Sequence, residues 1–162
     1  MEVRHNTVDK SVFKPTPSDF RERYGIGDRF MILGVASPWT DRKGLGDFVR
    51  LAGELDSDKY AIVLVGLSER QVRALPEGVI GLTRTDSPQE LAGIYATADV
   101  FFNPTVEDNY PTVNLEAEAC GTPVITYDTG GCRETVSRAG SSVVEGYEEA
   151  MSRLLDIWSF TG

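Results

Sequence analysis

Histidine, cysteine and basic charge are all scarce in this chain of 162 residues. The single histidine and the two cysteines, Cys120 and Cys132, show no metal-ligand spacing, so neither a zinc centre nor a disulfide framework is expected. Acidic residues outnumber basic ones by 25 to 16, which gives a net charge of −9. This sign argues against a nucleic-acid partner, because nucleic-acid binders normally carry a basic face. The two thiols are interpreted as free and buried, which suits a reducing compartment.

Long apolar runs are also missing. The longest ones, such as residues 60–65, have the length of a strand and are too short to span a bilayer. Residues 1–6 lack the apolar region of a signal peptide, so a cytoplasmic location is predicted. A composition of 41% hydrophobic and 25% charged residues is ordinary for a globular domain and argues against disorder.

After residue 28, short apolar runs alternate with amphipathic stretches, a pattern typical of repeated βα units. The runs predicted as strands are 30–36, 60–65, 79–82, 99–103, 124–127 and 142–144. The stretches predicted as helices are 44–55, 68–75, 87–98, 112–119, one after Gly131, and 147–158. The pattern therefore predicts an α/β fold, a Rossmann-like doubly wound parallel sheet of about six strands with helices on both faces.

The sequence is predicted to divide at residue 28. Residues 1–28 hold one short helical stretch, at 19–24, and are expected to form a lead-in segment that packs on the domain formed by residues 29–162. Ligands of doubly wound sheets bind beyond the carboxyl ends of the strands, near helix N-termini. The loops at those ends are 36–43, 66–69 and 104–112.

The loop after the fourth predicted strand carries Glu107, Asp108 and Asn109, and a helix with Glu116 follows it. Free backbone amides at the start of a helix attract phosphate, and the carboxylate of Glu116 could accept hydrogen bonds from sugar hydroxyls. Asp108 and Asn109 could equally serve only as caps of that helix. The residues alone leave both interpretations open.

Arg42 and Lys43 lie between the first predicted strand and the helix that follows it. Two adjacent cations at such a position suit a diphosphate. The alternative is a solvated helix start without a ligand, although cations are less favourable there because of the helix dipole.

The segment from Pro104 to Pro123 closely resembles the signature of retaining glycosyltransferases with the GT-B fold, in the large sucrose-synthase-like family (family 4). In that family two glutamates separated by seven residues precede an alanine, a Cys-Gly-Thr-Pro turn and a strand. The stretch from Glu116 onward matches this pattern. Counting back eight positions from Glu116 reaches Asp108, whereas Glu107 lies one position too early. Asp108 is in register for the first carboxylate, and Glu107 is the alternative.

Other parts of the chain resemble the same family in the same order. Gly34, followed later by Arg42 and Lys43, is similar to its first diphosphate-binding loop. Val35 stands where the family usually has arginine, and Arg42 is the candidate replacement. Gly66 after the second strand also fits. The resemblance covers nearly the whole chain.

The resemblance implies the C-terminal, donor-binding domain of a glycosyltransferase. Such an enzyme transfers a sugar from a nucleotide diphosphate sugar to an acceptor with retention, here in polysaccharide or glycoconjugate synthesis. The catalytic residues that it implies are Asp108, near the donor sugar, and Lys43 and Arg42, which stabilise the leaving diphosphate. The substrate-binding residues that it implies are Glu116, at the ribose hydroxyls, and Gly34, Gly66, Glu107, Asn109, Tyr110, Pro111 and Thr112. The family usually requires no divalent metal, so neither a metal nor a cofactor is expected.

In this family most acceptor contacts come from an N-terminal domain, which the present chain is not expected to encode. A sugar or lipid-linked acceptor is expected to bind through that domain. The full-length protein could associate peripherally with the inner membrane, and the present chain could be inactive alone. Two alternatives are a nucleotide-sugar-binding module without transferase activity and a GT-B enzyme that epimerises a sugar nucleotide. A flavodoxin-like receiver domain is disfavoured, because the loops after the first and third strands lack the acidic residues that it needs.

Overall fold

The structure, a computed structural model, describes residues 8–36, 39–106, 112–128, 135–136 and 141–161, without the side chains of 158–161. The strands within these ranges are β1 Phe30–Val35, β2 Tyr60–Val65, β3 Val79–Leu82, β4 Val100–Asn103, β5 Val124–Tyr127 and β6 Ser142–Val144. The helices are α1 Phe20–Arg23, α2 Leu45–Glu54, α3 Glu69–Ala74, α4 Pro88–Thr97, α5 Thr112–Ala119 and α6 Tyr147–Thr161. The helix predicted after Gly131 falls mostly outside the described residues.

The strands form one parallel sheet in the order β3-β2-β1-β4-β5-β6. β1 pairs with β2 on one side and with β4 on the other, where Ile32 lies opposite Val100. The strand order reverses between β1 and β4, and in doubly wound sheets this switch point is where ligands bind. The predicted Rossmann-like fold is confirmed.

Helices cover both faces of the sheet, which explains why the strands read as continuous apolar runs. Side chains alternate along β1, so that Ile32 belongs to one core and Leu33 to the other. The first core receives side chains of α2 and α6, such as Phe48 and Leu154. The second core receives side chains of α1, α4 and α5, such as Tyr95. The sheet thus separates two hydrophobic layers.

Arg21 in α1 joins the segment before β1 to the sheet. Its guanidinium donates to the carbonyl oxygen of Thr97 and pairs with Asp99, both at 2.9 Å. The same oxygen of Asp99 accepts the backbone N–H of Met31 at 2.8 Å. Phe20, beside Arg21, is buried in the second core. The segment packs on the sheet domain, while a domain boundary at residue 28 stays a prediction.

Candidate functional site

A short 3-10 turn, Asp41–Lys43, lies between β1 and α2 at the switch point of the sheet. It carries both cations singled out in the sequence. Arg42 is exposed and Lys43 is half-buried. Gly44 ends the turn in the left-handed region, at φ +92°, and α2 begins after it. We call Asp41–Gly44 the cation turn.

The cation turn is fastened to the loop that follows β4. A Cβ atom on Gly44 would lie 2.3 Å from Cγ and 2.6 Å from the carbonyl oxygen of Pro104, so only glycine fits this contact. The carbonyl oxygen of Arg42 accepts the backbone N–H of Val106 at 2.8 Å and the hydroxyl of Thr105 at 3.3 Å. The loops after β1 and β4 therefore form one unit at the carboxyl edge of the sheet.

The continuation of the β4 loop lies outside the described residues. The predicted site residues that fall there are Glu107, Asp108, Asn109, Tyr110 and Pro111. The described chain resumes at Thr112, the half-buried first residue of α5. The choice between Asp108 and Glu107 as the first carboxylate stays a prediction.

Glu116 lies four residues into α5, and its carboxylate is already engaged by a buried phenol. The hydroxyl of Tyr95, in α4, donates to Oε1 of Glu116 at 2.8 Å. Burial raises the pKa of Glu116, and the hydrogen bond from Tyr95 opposes that rise in part. Burial, together with the nearby Glu116, holds the pKa of Tyr95 well above its usual range, so this phenol stays a donor. The second oxygen of the Glu116 carboxylate can accept a hydrogen bond from a ligand hydroxyl.

A chain of buried polar side chains holds the first turn of α5. The amide of Asn103, at the end of β4, donates to Oδ1 of Asn114 at 3.0 Å. The amide of Asn114 donates to the hydroxyl of Thr135 at 3.0 Å. Asn114 is completely buried. These hydrogen bonds link the carboxyl end of β4, the first turn of α5 and residue 135.

Gly34 and Gly66, the two glycines predicted to contact the substrate, have different structural roles. Gly34 lies inside β1, where a Cβ would come within 2.6 Å of the ring of Phe48, so its absence lets α2 pack on the sheet. Gly66 follows β2 at φ +104°, and its N–H donates to the carbonyl of Leu82 at 2.9 Å. Gly66 lies at the carboxyl edge as predicted. Contact of either glycine with a ligand stays a prediction.

Trp39 anchors the loop that leads into the cation turn, and the sequence analysis did not identify it. Its indole N–H donates to the carbonyl of Val65, at the end of β2, at 2.8 Å. Its ring packs edge-on against Phe48, and its own carbonyl accepts from the side chain of Gln71 at 2.8 Å. The signal that could have indicated this role is a lone tryptophan in an otherwise polar loop directly after a strand.

Acidic residues do not gather into a metal site in the described part of the chain. An Asp-x-Asp triplet, Asp56–Asp58, lies in the turn before β2, at the amino edge of the sheet. There Oδ1 of Asp56 accepts the backbone N–H of Asp58 at 2.9 Å, which is a turn contact.

Cys120 is buried at the end of α5, as predicted. Burial, with a smaller effect of Glu116, raises the pKa of its thiol to about 11, so the thiol is protonated at neutral pH. Cys132 lies outside the described residues. None of the helices in the described ranges is both long and apolar enough to cross a membrane.

Comparisons with known proteins assign the chain to a family. A family profile described as Glycosyl transferases group 1 matches residues 29–157. The chain is 35% identical to the GDP-mannose-dependent alpha-(1-6)-phosphatidylinositol monomannoside mannosyltransferase of Mycolicibacterium smegmatis over 148 residues. This alignment covers 80% of the present chain and 38% of that protein.

Solved structures share the fold. Anabaena HepE in complex with UDP-glucose aligns with a TM-score of 0.76 at 23% identity, over 99% of this chain and 48% of that one. The C-terminal domain of a glycosyl transferase group 1 family protein from Francisella tularensis aligns with a TM-score of 0.72 at 17% identity, over 94% of this chain and 88% of that one. At these identities the likeness concerns the fold alone.

The matched region is a part of longer relatives. The chain covers between 35% and 40% of the length of the first four curated relatives, all of them named as glycosyltransferases or as a glycolipid synthase. The family profile spans most of the chain, and the fold, the cation turn and the helix that bears Glu116 lie within it. This chain therefore belongs to the glycosyl transferases group 1 family, as a partial, Rossmann-like domain of the GT-B type.

Proposed function

We propose that this chain is the donor-binding half of a glycosyltransferase that transfers a sugar from a nucleotide diphosphate sugar with retention of configuration. The observation that carries the proposal is the union of the cation turn with the β4 loop at the switch point, through Gly44, Pro104 and the carbonyl of Arg42. A diphosphate bound there meets cationic side chains and, at the start of α5, a helix N-terminus.

In this proposal Lys43 and Arg42 stabilise the negative charge that develops on the leaving diphosphate. Such stabilisation of a leaving group is commonly the largest electrostatic contribution to catalysis. Glu116 accepts hydrogen bonds from the ribose hydroxyls, and Asp108 lies near the donor sugar. The acceptor, a sugar or a lipid-linked molecule, binds to the part of the protein that this chain does not cover. This chain by itself then binds the donor without transferring the sugar.

The names of the relatives suggest two candidate nucleotides for the donor, GDP and UDP. One relative is named as GDP-mannose-dependent, and HepE was solved with UDP-glucose. Calorimetric titration of this chain with UDP, GDP, UDP-glucose and GDP-mannose tests both bases. Binding of one nucleotide diphosphate at micromolar concentration supports the proposal, and failure of all four to bind contradicts it.

Cytoplasmic location, with peripheral association of the longer protein with the inner membrane, belongs to the same proposal.

Substitutions at the site test the assigned roles. We expect Lys43→Ala and Glu116→Ala each to weaken nucleotide binding about tenfold or more, because a charge-assisted contact contributes roughly 1.5–3 kcal/mol. Asp108→Ala is expected to weaken it less, since Asp108 is placed at the sugar and not at the nucleotide. Titration calorimetry with UDP and GDP measures the three affinities.

The matched control is Lys59→Ala, which removes the same charge just before β2, at the opposite edge of the sheet. Its affinity is expected to equal that of the parent. The ribose role of Glu116 would be wrong if Glu116→Ala bound the nucleotide as tightly as the parent does.

A further inference from the structure

We propose that Tyr95 is a positioning residue, which holds the carboxylate of Glu116 in the orientation that accepts the ribose hydroxyls of the bound nucleotide. The proposal rests on the donor-binding function given above. It assigns a role to a residue of α4 that lies in the second core and has no direct contact with ligand in this arrangement.

The phenol of Tyr95 is fixed from several sides. The side chain is completely buried. Phe13 meets its ring edge-on at a centroid distance of 6.0 Å, and Phe101 lies 5.5 Å away on the sheet. The backbone carbonyl of Tyr95 accepts the hydroxyl of Thr122, in the turn after α5. With ring and backbone both held, the hydroxyl has one position, and that position lies 2.8 Å from Oε1 of Glu116.

This contact orients the carboxylate of Glu116 and favours its ionised form. Within the described residues, Tyr95 provides the hydrogen bond to the Glu116 carboxylate, which leaves Oε2 for a ligand. A glutamate side chain on a helix otherwise samples several rotamers, and a fixed donor at one oxygen removes that freedom before the ligand arrives. The same donor lowers the pKa of Glu116 against the rise that burial causes, so it favours the ionised acceptor.

The first experiment is Tyr95→Phe, which removes the hydroxyl and keeps the ring packing. The probes are UDP and GDP together with their 2′,3′-dideoxy analogues, which lack the hydroxyls assigned to Glu116. We expect the affinity for UDP or GDP to fall about three- to tenfold, as for loss of one hydrogen bond, and the affinity for the dideoxy analogue to change less than twofold. A defect of folding would weaken both ligands equally, so the ratio of the two affinities distinguishes positioning from structural damage.

The control variant is Tyr147→Phe. The hydroxyl of Tyr147 donates to Oε1 of Glu54 at 3.1 Å, so this change removes the same kind of contact on the other face of the sheet. Its affinities are expected to match those of the parent. A second test adds Tyr95→Phe to Glu116→Ala, which removes the acceptor of the hydroxyl, and there the loss of the hydroxyl should have no further effect on nucleotide affinity.

The outcomes separate this inference from the proposed function. If the parent binds no nucleotide diphosphate, the proposed function fails and this role fails with it. If the parent binds and Glu116→Ala weakens binding, but Tyr95→Phe binds as the parent does, the positioning role alone is overturned. It is also overturned if Tyr95→Phe weakens the dideoxy analogue as much as the natural nucleotide, or if its effect persists in full in Glu116→Ala.

Discussion

Gly44 belongs to two elements at once, since it closes the 3-10 turn and precedes the first residue of α2. It also presses against the ring and the carbonyl of Pro104. A side chain is excluded by the positive φ and by the lack of space, which are independent reasons. Gly44 supplies both the positive φ and the close approach to Pro104. The position of Lys43 relative to the β4 loop therefore depends on the absence of a side chain at residue 44.

Gly44→Ala is expected to lower the free energy of unfolding by about 3 kcal/mol, from backbone strain and from displacement of Pro104. Nucleotide affinity should fall as well, because the cation turn must move. Urea unfolding and titration calorimetry measure the two effects.

Gly46→Ala is the matched control, because Gly46 lies in α2 with open space around its Cα. Alanine there is expected to leave the stability unchanged or to raise it by less than about 1 kcal/mol, the full gain in a helix interior, because Gly46 lies in the first turn of α2. Equal stabilities of the Gly44→Ala and Gly46→Ala variants would contradict the role given to Gly44.

The helices and strands follow closely from local patterns, whereas the contacts between them do not. The helix predicted at 112–119 matches α5, and Gly121 and Pro123 account for its C-terminal end through local backbone preferences. The helix predicted at 87–98 contains Tyr95, but the pattern indicates no partner for its hydroxyl. Its hydroxyl meets Glu116, 21 positions away, only when α4 and α5 lie side by side. No periodicity of the sequence encodes that pairing.

Some residues of the candidate site could be predicted from the sequence, and others only from the structure. Arg42 and Lys43 were identified as adjacent cations between a strand and a helix, and Glu116 as a carboxylate on the helix after the acidic loop. The family resemblance implied their roles. Asn103 and Asn114 were not identified, since a single amide in a strand or helix looks like any polar surface position. Burial alone distinguishes them, and burial depends on the packing of α5 against β4. The acidic loop at 107–111 lies outside the described residues, so the roles given to its side chains stay predictions.

Asn114→Ala is expected to destabilise α5 where it meets β4. The amide of Asn103 loses its acceptor in a buried site, and we expect a cost of about 3 kcal/mol in the free energy of unfolding. Urea unfolding of Asn114→Ala, of Asn103→Ala and of the double variant forms a thermodynamic cycle. The two losses should be strongly non-additive, and simple addition would show that the amides do not act together.

At the scale of the whole molecule, the segment before β1 contributes to the second core from outside the sheet. Phe20 and Ile26 are each 2% exposed, so nearly all of their apolar surface is buried on the domain. Removal of residues 1–28 is therefore expected to cost about 4 kcal/mol, at roughly 2 kcal/mol for each large apolar side chain.

Unfolding of the chain 29–162 in urea, compared with the full chain, measures this contribution. Arg21→Ala in the full chain should account for a smaller part, about 2 kcal/mol, because it removes the ion pair with Asp99 and keeps both apolar side chains. A shortened chain as stable as the parent would mean that the lead-in segment does not support the domain.

The parallel pairing of β1 with β4 also has a consequence for how the chain reaches its structure. β1 pairs with β2 after one connection, whereas its pairing with β4 joins Ile32 to Val100, which is 68 positions away. During synthesis on the ribosome, β1, β2 and β3 emerge well before β4. The first three strands can therefore pair with one another while the edge of β1 that binds β4 is still unpaired. Because closure of such a long loop is slow, docking of β4 is expected to limit the rate of folding. The switch point, where the ligand is proposed to bind, would then be the last part of the sheet to form.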